Sequence, residues 1–292
     1  MTYLVETEET GKPLVFDCQG IVTIDDHALE GVSSALRKIP RPLLFTNTNA
    51  IEAELRRDLG EYTAKYIFGE APVIVFGDDT IDRDVARRII EQVEISERAY
   101  VSKCVGDCFR PFPNGPQRMS STPLLASGVF DARPLISDRE KFSWISILMA
   151  DRLDKFLDQS LQLGQATPQR TKSFRLLAVS LRGSPFAAAI GLLSDRQQAI
   201  EIVDHVGPKY KILEDPALHP STPDDDYIYV GDFVVGGTEL RIAQAYARGK
   251  GARIKHAFVV GKVLQAEDYR LDFEISSLVD LMNCCPTARF SF

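Results

Sequence analysis

Short apolar runs separated by amphipathic stretches fill the first part of the chain. Pro13–Cys18 (PLVFDC), Leu43–Phe45 and Pro72–Phe76 (PVIVF) have the length of buried strands. Between the first two, Leu29, Val32, Leu36 and Ile39 recur at helical spacing within Ala28–Ile39, behind Asp25 and Asp26 as capping residues. Charged helices are expected over Ile51–Tyr62 and Asp82–Val93, and Ala99–Val105 reads as a fourth strand. Alternation of this kind predicts an α/β unit with a mainly parallel sheet and helices packed on it.

The pattern then breaks. Residues 110–123 (RPFPNGPQRMSSTP) hold four prolines and a glycine, which neither a helix nor a strand can carry through. The expected division is therefore an N-terminal α/β domain over 1–112, a linker over 113–123 and a second domain over 124–292. In the second domain a long helix is predicted over Ser137–Leu157. Strands follow at Phe174–Ser180, Ala199–Val203, Tyr227–Val230 and His256–Val260, with helices at Phe186–Leu193 and Thr238–Arg248. Phe273–Leu281 is the last such stretch.

Charge narrows the partners. The 292 residues carry a formal net charge of −7, which argues against a nucleic-acid binder, since gripping a phosphate backbone needs a basic face. A single phosphorylated ligand stays compatible, because backbone N–H groups at a helix start can hold an anion. No run approaches the roughly 18 apolar residues of a membrane span. The acidic N-terminus lacks a signal-peptide core, so a cytoplasmic protein with no membrane contact is expected. Cys18, Cys104, Cys108, Cys284 and Cys285 are then read as free thiols. The four histidines show no metal-ligand spacing, and Asp224-Asp225-Asp226 reads as a charged turn before a strand.

The most informative segment is Tyr227–Lys262 (YIYVGDFVVGGTELRIAQAYARGKGARIKHAFVVGK). A buried strand ends near an acid, and a short apolar link leads to Gly-Gly-Thr at a helix start. Glycines let a phosphate approach the backbone, the helix N-terminus supplies N–H donors, and Thr238 adds a hydroxyl. Asp232 is placed to accept hydrogen bonds from ribose hydroxyls. The lysine of a P-loop and the spacing of a dinucleotide fingerprint are both missing. A tight turn without a ligand is the alternative reading of Gly236-Gly237-Thr238.

This segment resembles the signature of type I phosphoribosyltransferases: hydrophobics, two acids, two hydrophobics, then a Thr/Gly loop opening a helix. The resemblance is nearest to orotate phosphoribosyltransferases and covers residues ~120–292. It implies that Gly231 and Asp232 stand where the family's acids bind the ribose of phosphoribosyl diphosphate (PRPP), one acid being replaced by glycine. Val235, Gly236, Gly237, Thr238 and Glu239 would hold the 5′-phosphate. Ala178–Ala189 (AVSLRGSPFAAA) resembles the diphosphate-binding loop, with Leu181, Arg182, Gly183 and Ser184 in it. Leu124–Glu140 (LLASGVFDARPLISDRE) resembles the Ser-Gly element near the start of that family's chains, and Glu274–Leu281 their closing segment. The family's basic stretch after the strand Ala199–Val203 is thinned to Lys209 and Lys211, which take the leaving-group role within a mobile loop from His205 to about Pro223. Mg2+ is implied as a companion of PRPP, with no metal ligands of the chain's own beyond a contact from Asp232, and a homodimer is implied by the family's pairing.

Leu14–Leu36 (LVFDCQGIVTIDDHALEGVSSAL) is similar to the core of STAS domains, which suggests that the N-terminal module contacts a protein partner. Together these readings predict a PRPP- or nucleotide-binding protein that transfers a phosphoribosyl group to a nucleobase or orotate-like acceptor. The alternative is a catalytically degenerate nucleotide or PRPP sensor, or a scaffold.

Overall fold

The computed structural model describes residues 14–18, 43–46, 48, 51–68, 71–76, 81–118, 124–164, 174–194, 199–203, 226–263, 271–285 and 287–291. The predicted helix Ala28–Ile39 lies outside them, as does most of the STAS-like segment. Contacts divide the chain into Met1–Ser96 and Glu97–Phe292.

In the first unit, β1 (Leu14–Asp17), β2 (Leu43–Thr46), α1 (Glu52–Leu59), β3 (Ala64–Phe68) and β4 (Ala71–Phe76) precede α2 (Arg83–Gly106). The sheet order is β1-β2-β4-β3, with β1 and β2 parallel and the other two pairings antiparallel. The expectation of a mainly parallel sheet here is corrected to a mixed one. The reason is β3, which pairs with β4 from Phe68 opposite Ala71 to Ala64 opposite Val75, as a hairpin. Both faces are covered. Phe16, Phe45, Ile51, Leu55 and Phe76 pack on one side, and Val15, Leu44, Val73, Val75, Ile81 and Ala86 on the other.

The predicted strand Ala99–Val105 is instead the second half of α2. Val101, Cys104, Val105 and Cys108 recur at helical spacing, and all four are buried in the core of the second unit. The division after Ser96 therefore falls inside a continuous helix, ahead of the proline-rich stretch at 110–123. The described part of that stretch has structure of its own. β5 (Phe109–Pro111) pairs antiparallel with β8 (Gly128–Phe130), and β6 (Gln117–Arg118) with β7 (Leu125–Ala126). A Cβ at Gly128 would lie 2.4 Å from the Arg110 carbonyl, so this crossing accepts only glycine without moving. Cys108 is an inert thiol, pushed up to about 12 by burial.

Behind these strands come α3 (Arg133–Ser137), α4 (Arg139–Gly164), β9 (Phe174–Val179), α5 (Ser184–Leu193), β10 (Ala199–Val203), β11 (Asp226–Val234), α6 (Thr238–Gly249), β12 (Ile254–Lys262), β13 (Glu274–Asp280), α7 (Leu281–Cys284) and β14 (Phe290–Ser291). Strands β9 to β13 form a five-stranded sheet in the order β10-β9-β11-β12-β13, every pairing parallel. This is the α/β, helix-flanked parallel sheet that the sequence implied. Leu148, Leu153, Phe186 and Ile190 of α4 and α5 pack with Ile228, Val230, Phe258 and Val260. Leu240, Ala243 and Ala247 of α6 pack with Tyr227, Tyr229, Ala257 and Val259. Numbered from β9, the order is 2-1-3-4-5, which reverses direction between β9 and β11. In sheets of this kind the crevice at that reversal, outside the carboxyl ends of the strands, is where ligands bind.

Candidate functional site

Strand β9 is followed by Ser180, whose φ of 88° places a non-glycine residue in the left-handed region, an arrangement that costs about 1–3 kcal/mol and clusters at ligand sites. Its hydroxyl accepts the Arg182 N–H at 3.4 Å, tightening the loop. Gly183 then passes close to the neighbouring strand: a Cβ there would sit 3.2 Å from the Val230 carbonyl and 3.3 Å from Gly231 Cα. Ser184 is the first residue of α5, with Pro185 behind it in the first turn. Leu181 is exposed.

Strand β11 pairs with β9 only from Asp226 to Tyr229 and then runs on to Val234 paired with β12. Beyond it, Gly237 adopts φ 68°, ψ 11° as the N-cap of α6, a conformation that a side chain would strain. Glycine has no side chain with which to cap the first turn, so the opening of α6 presents main-chain donors and the positive end of the helix dipole. Arg241 Nη2 donates to the Gly236 carbonyl at 2.8 Å.

A cleft of about 220 Å³ opens between these two loops. Gly128–Phe130 form one wall, Arg182 another, and the run from Phe233 to Leu240 the third. The structure thus brings Arg182, Val235, Gly236, Gly237, Thr238 and Glu239 together with part of the Ser-Gly element. Ser127 itself has a structural task, since its hydroxyl accepts the Arg289 N–H at 2.8 Å and its N–H donates to the Arg289 carbonyl. Asp232 does not line the cleft. It lies within β11, 6% exposed, and its carboxyl accepts the Phe233 N–H. Burial, the largest influence, raises its pKa, against the pull of that N–H and of Arg182. Lys209, Lys211 and the whole of 204–225 lie outside the described residues.

Two participants escape sequence inspection. The Tyr229 hydroxyl, fully buried on β11, donates to Glu239 Oε2 at 3.4 Å, and Ser180 hydrogen-bonds to the same carboxyl. Glu239 therefore ties the loop after β9 to the start of α6. Burial and the neighbouring Asp232 carboxyl raise its pKa to about 7, although Ser180, Arg182 and Tyr229 pull the other way. A Tyr-x-Gly pattern in β11 was the one available hint.

No protein-family model matches the chain, and no curated protein matches it. Among solved structures, the chain is similar to the orotate phosphoribosyltransferase from Aeropyrum pernix, at 18% identity over 64% of this chain and 94% of that one, with a TM-score of 0.43. It is also similar to a phosphoribosyltransferase from Corynebacterium diphtheriae, at 13% identity over 65% and 98%, with a TM-score of 0.45. A third is the adenine phosphoribosyltransferase from Thermoanaerobacter pseudethanolicus, at 14% identity over 60% and 97%, with a TM-score of 0.39.

Proposed function

We propose that the cleft binds a phosphoribosyl ligand, PRPP foremost, and that the protein is a phosphoribosyltransferase. One observation carries the reading: the helix mouth at Gly236–Glu239 and the Arg182 loop face a common cleft at the sheet's reversal point. The 5′-phosphate would sit on the main-chain donors that open α6, beside the Thr238 hydroxyl, and Arg182 would meet the diphosphate. Transfer to a nucleobase or orotate-like acceptor asks for alignment and for cations on the departing diphosphate, and no nucleophilic side chain is needed. Lys209 and Lys211 are proposed for that second task. Among the described residues no group of three or more His, Cys, Asp or Glu could hold a metal ion. In this reading Mg2+ would arrive with the diphosphate and neutralise leaving-group charge.

A second reading, a ligand sensor without turnover, is favoured by the burial of Asp232 and by the glycine at 231. Thermal denaturation with PRPP–Mg2+ decides whether the cleft is a PRPP site. Ligand at 100 times its Kd adds about 2.7 kcal/mol, a rise of roughly 5–10 °C for a unit of this size. Arg182→Ala is expected to weaken PRPP by about tenfold while leaving the unliganded melting temperature within a few degrees, since Arg182 lines the cleft and is exposed. No shift with PRPP, against a shift with a nucleotide, sinks the transferase reading. Diphosphate release with orotate and a panel of bases then separates transferase from sensor.

A further inference from the structure

The cleft has an uncommon feature for an anion site: its lining includes an acidic residue, Glu239. Arg182 and the mouth of α6 favour a phosphate, whereas an ionised Glu239 beside them opposes one. Both preferences are met by a ligand that joins a phosphate to neutral hydrogen-bond donors. Glu239 is well prepared for such donors. Tyr229 and Ser180 hold its carboxyl in place, and a carboxylate has about four acceptor positions, so two protein hydroxyls leave capacity for ligand hydroxyls.

The strand offers no competing group there. A Cβ at Gly231 would lie 2.7 Å from the Tyr229 ring and hydroxyl, so residue 231 can project nothing while that ring is in place. The same hydroxyl reaches Glu239, which links the filled space to the carboxyl arriving from α6. Asp232, the other nearby acid, is buried in β11.

We infer that Glu239 is the specificity-determining residue of the cleft: its side chain, delivered from the first turn of α6 and steadied by Tyr229 and Ser180, accepts a hydrogen bond from a ribose hydroxyl of a sugar phosphate. This rests on the phosphoribosyl reading above and assigns the sugar contact within it. The groups facing the carboxyl are Tyr229 and Asp232 from β11, with Ser180 and Arg182 from the loop after β9. Because Glu239 gains its charge near pH 7, the hydroxyl contact strengthens above that pH.

The test is calorimetric titration of the full chain with ribose 5-phosphate, its 2-deoxy and 3-deoxy counterparts, and inorganic phosphate, at pH 6 and pH 8. The wild type is expected to prefer ribose 5-phosphate over at least one deoxy sugar by about tenfold at pH 8, the size of one hydrogen bond to a charged group. The preference should shrink at pH 6. Glu239→Gln should bring the sugars within about twofold and abolish the pH dependence, with inorganic phosphate bound no more weakly than by the wild type. Should that variant melt early, Glu239→Asp, which withdraws the carboxyl by one methylene, gives the same readout. Wild-type discrimination retained in both variants overturns the assignment to Glu239 and leaves the phosphoribosyl reading intact. If the wild type binds phosphate but no sugar phosphate, or binds nothing, the phosphoribosyl reading itself fails.

Discussion

Replacing Lys250 by methionine is expected to destabilise the second unit by about 3–5 kcal/mol, the usual loss when one partner of a buried ion pair is removed. The Lys250 ammonium donates to Glu201 Oε1 at 2.6 Å, with only 4% and 7% of the two side chains exposed. Tyr227 donates to the other oxygen at 2.7 Å, and the Tyr246 hydroxyl shares the first. Burial pushes the Glu201 carboxyl up, but the bonds from Lys250, Tyr246 and Tyr227 outweigh it and hold the carboxyl below its usual range. A carboxyl lowered on folding contributes stability that is present above its unfolded pKa and lost as pH falls through the folded one. The contribution of Glu201 should therefore be lost only below about pH 4.5, taking the ordinary carboxylate range as the unfolded value. In Lys250→Met the carboxyl loses its charged partner and burial dominates, so the variant's loss relative to the wild type is smaller at pH 5 than at pH 8. Urea denaturation at the two pH values measures this. A loss under 1 kcal/mol without pH dependence contradicts it. Lys250 stands at the C-cap of α6, so this cluster fixes the far end of the helix whose mouth opens the cleft.

What the sequence disclosed follows from how far each signal reaches along the chain. The parallel sheet was legible because strands buried on both faces are continuous apolar runs, and β11 and β12 read that way. The two cleft loops were legible because close backbone approach and a left-handed cap demand glycine, at 183 and at 237. Strand β3 was not legible: Ala64–Phe68 alternates half-buried and exposed positions over only five residues, too short to stand out beside the charged helix before it. The second half of α2 is short of sequence signal over Ala99–Val105 alone, and its helical stripe emerges only when Val101, Cys104, Val105 and Cys108 are taken together. The contacts of Glu239 with Tyr229 and Ser180 join three separate elements, and no periodicity encodes a meeting of that kind.

The same meeting explains why an acid cannot simply be placed at 231, where the phosphoribosyltransferase pattern has one. Gly231→Asp is expected to cost roughly 3–5 kcal/mol, combining overpacking with a carboxylate taken out of water. The added Cβ would lie 2.7–2.9 Å from three atoms of Tyr229, which is 1% exposed. Gly231→Ala isolates the steric part, at about 1–3 kcal/mol. Combining either substitution with Tyr229→Ala should give a smaller loss than the two single losses added, by about 1–3 kcal/mol, because the colliding atoms are gone. A Gly231→Ala variant within 0.5 kcal/mol of wild type in denaturant titrations would show that the ring yields freely. The packing argument would then fail, and with it the reason for Glu239 to approach from the helix. Strict additivity in the double variants carries the same consequence. If the coupling appears, Tyr229 both excludes side chains at 231 and orients the carboxyl at 239.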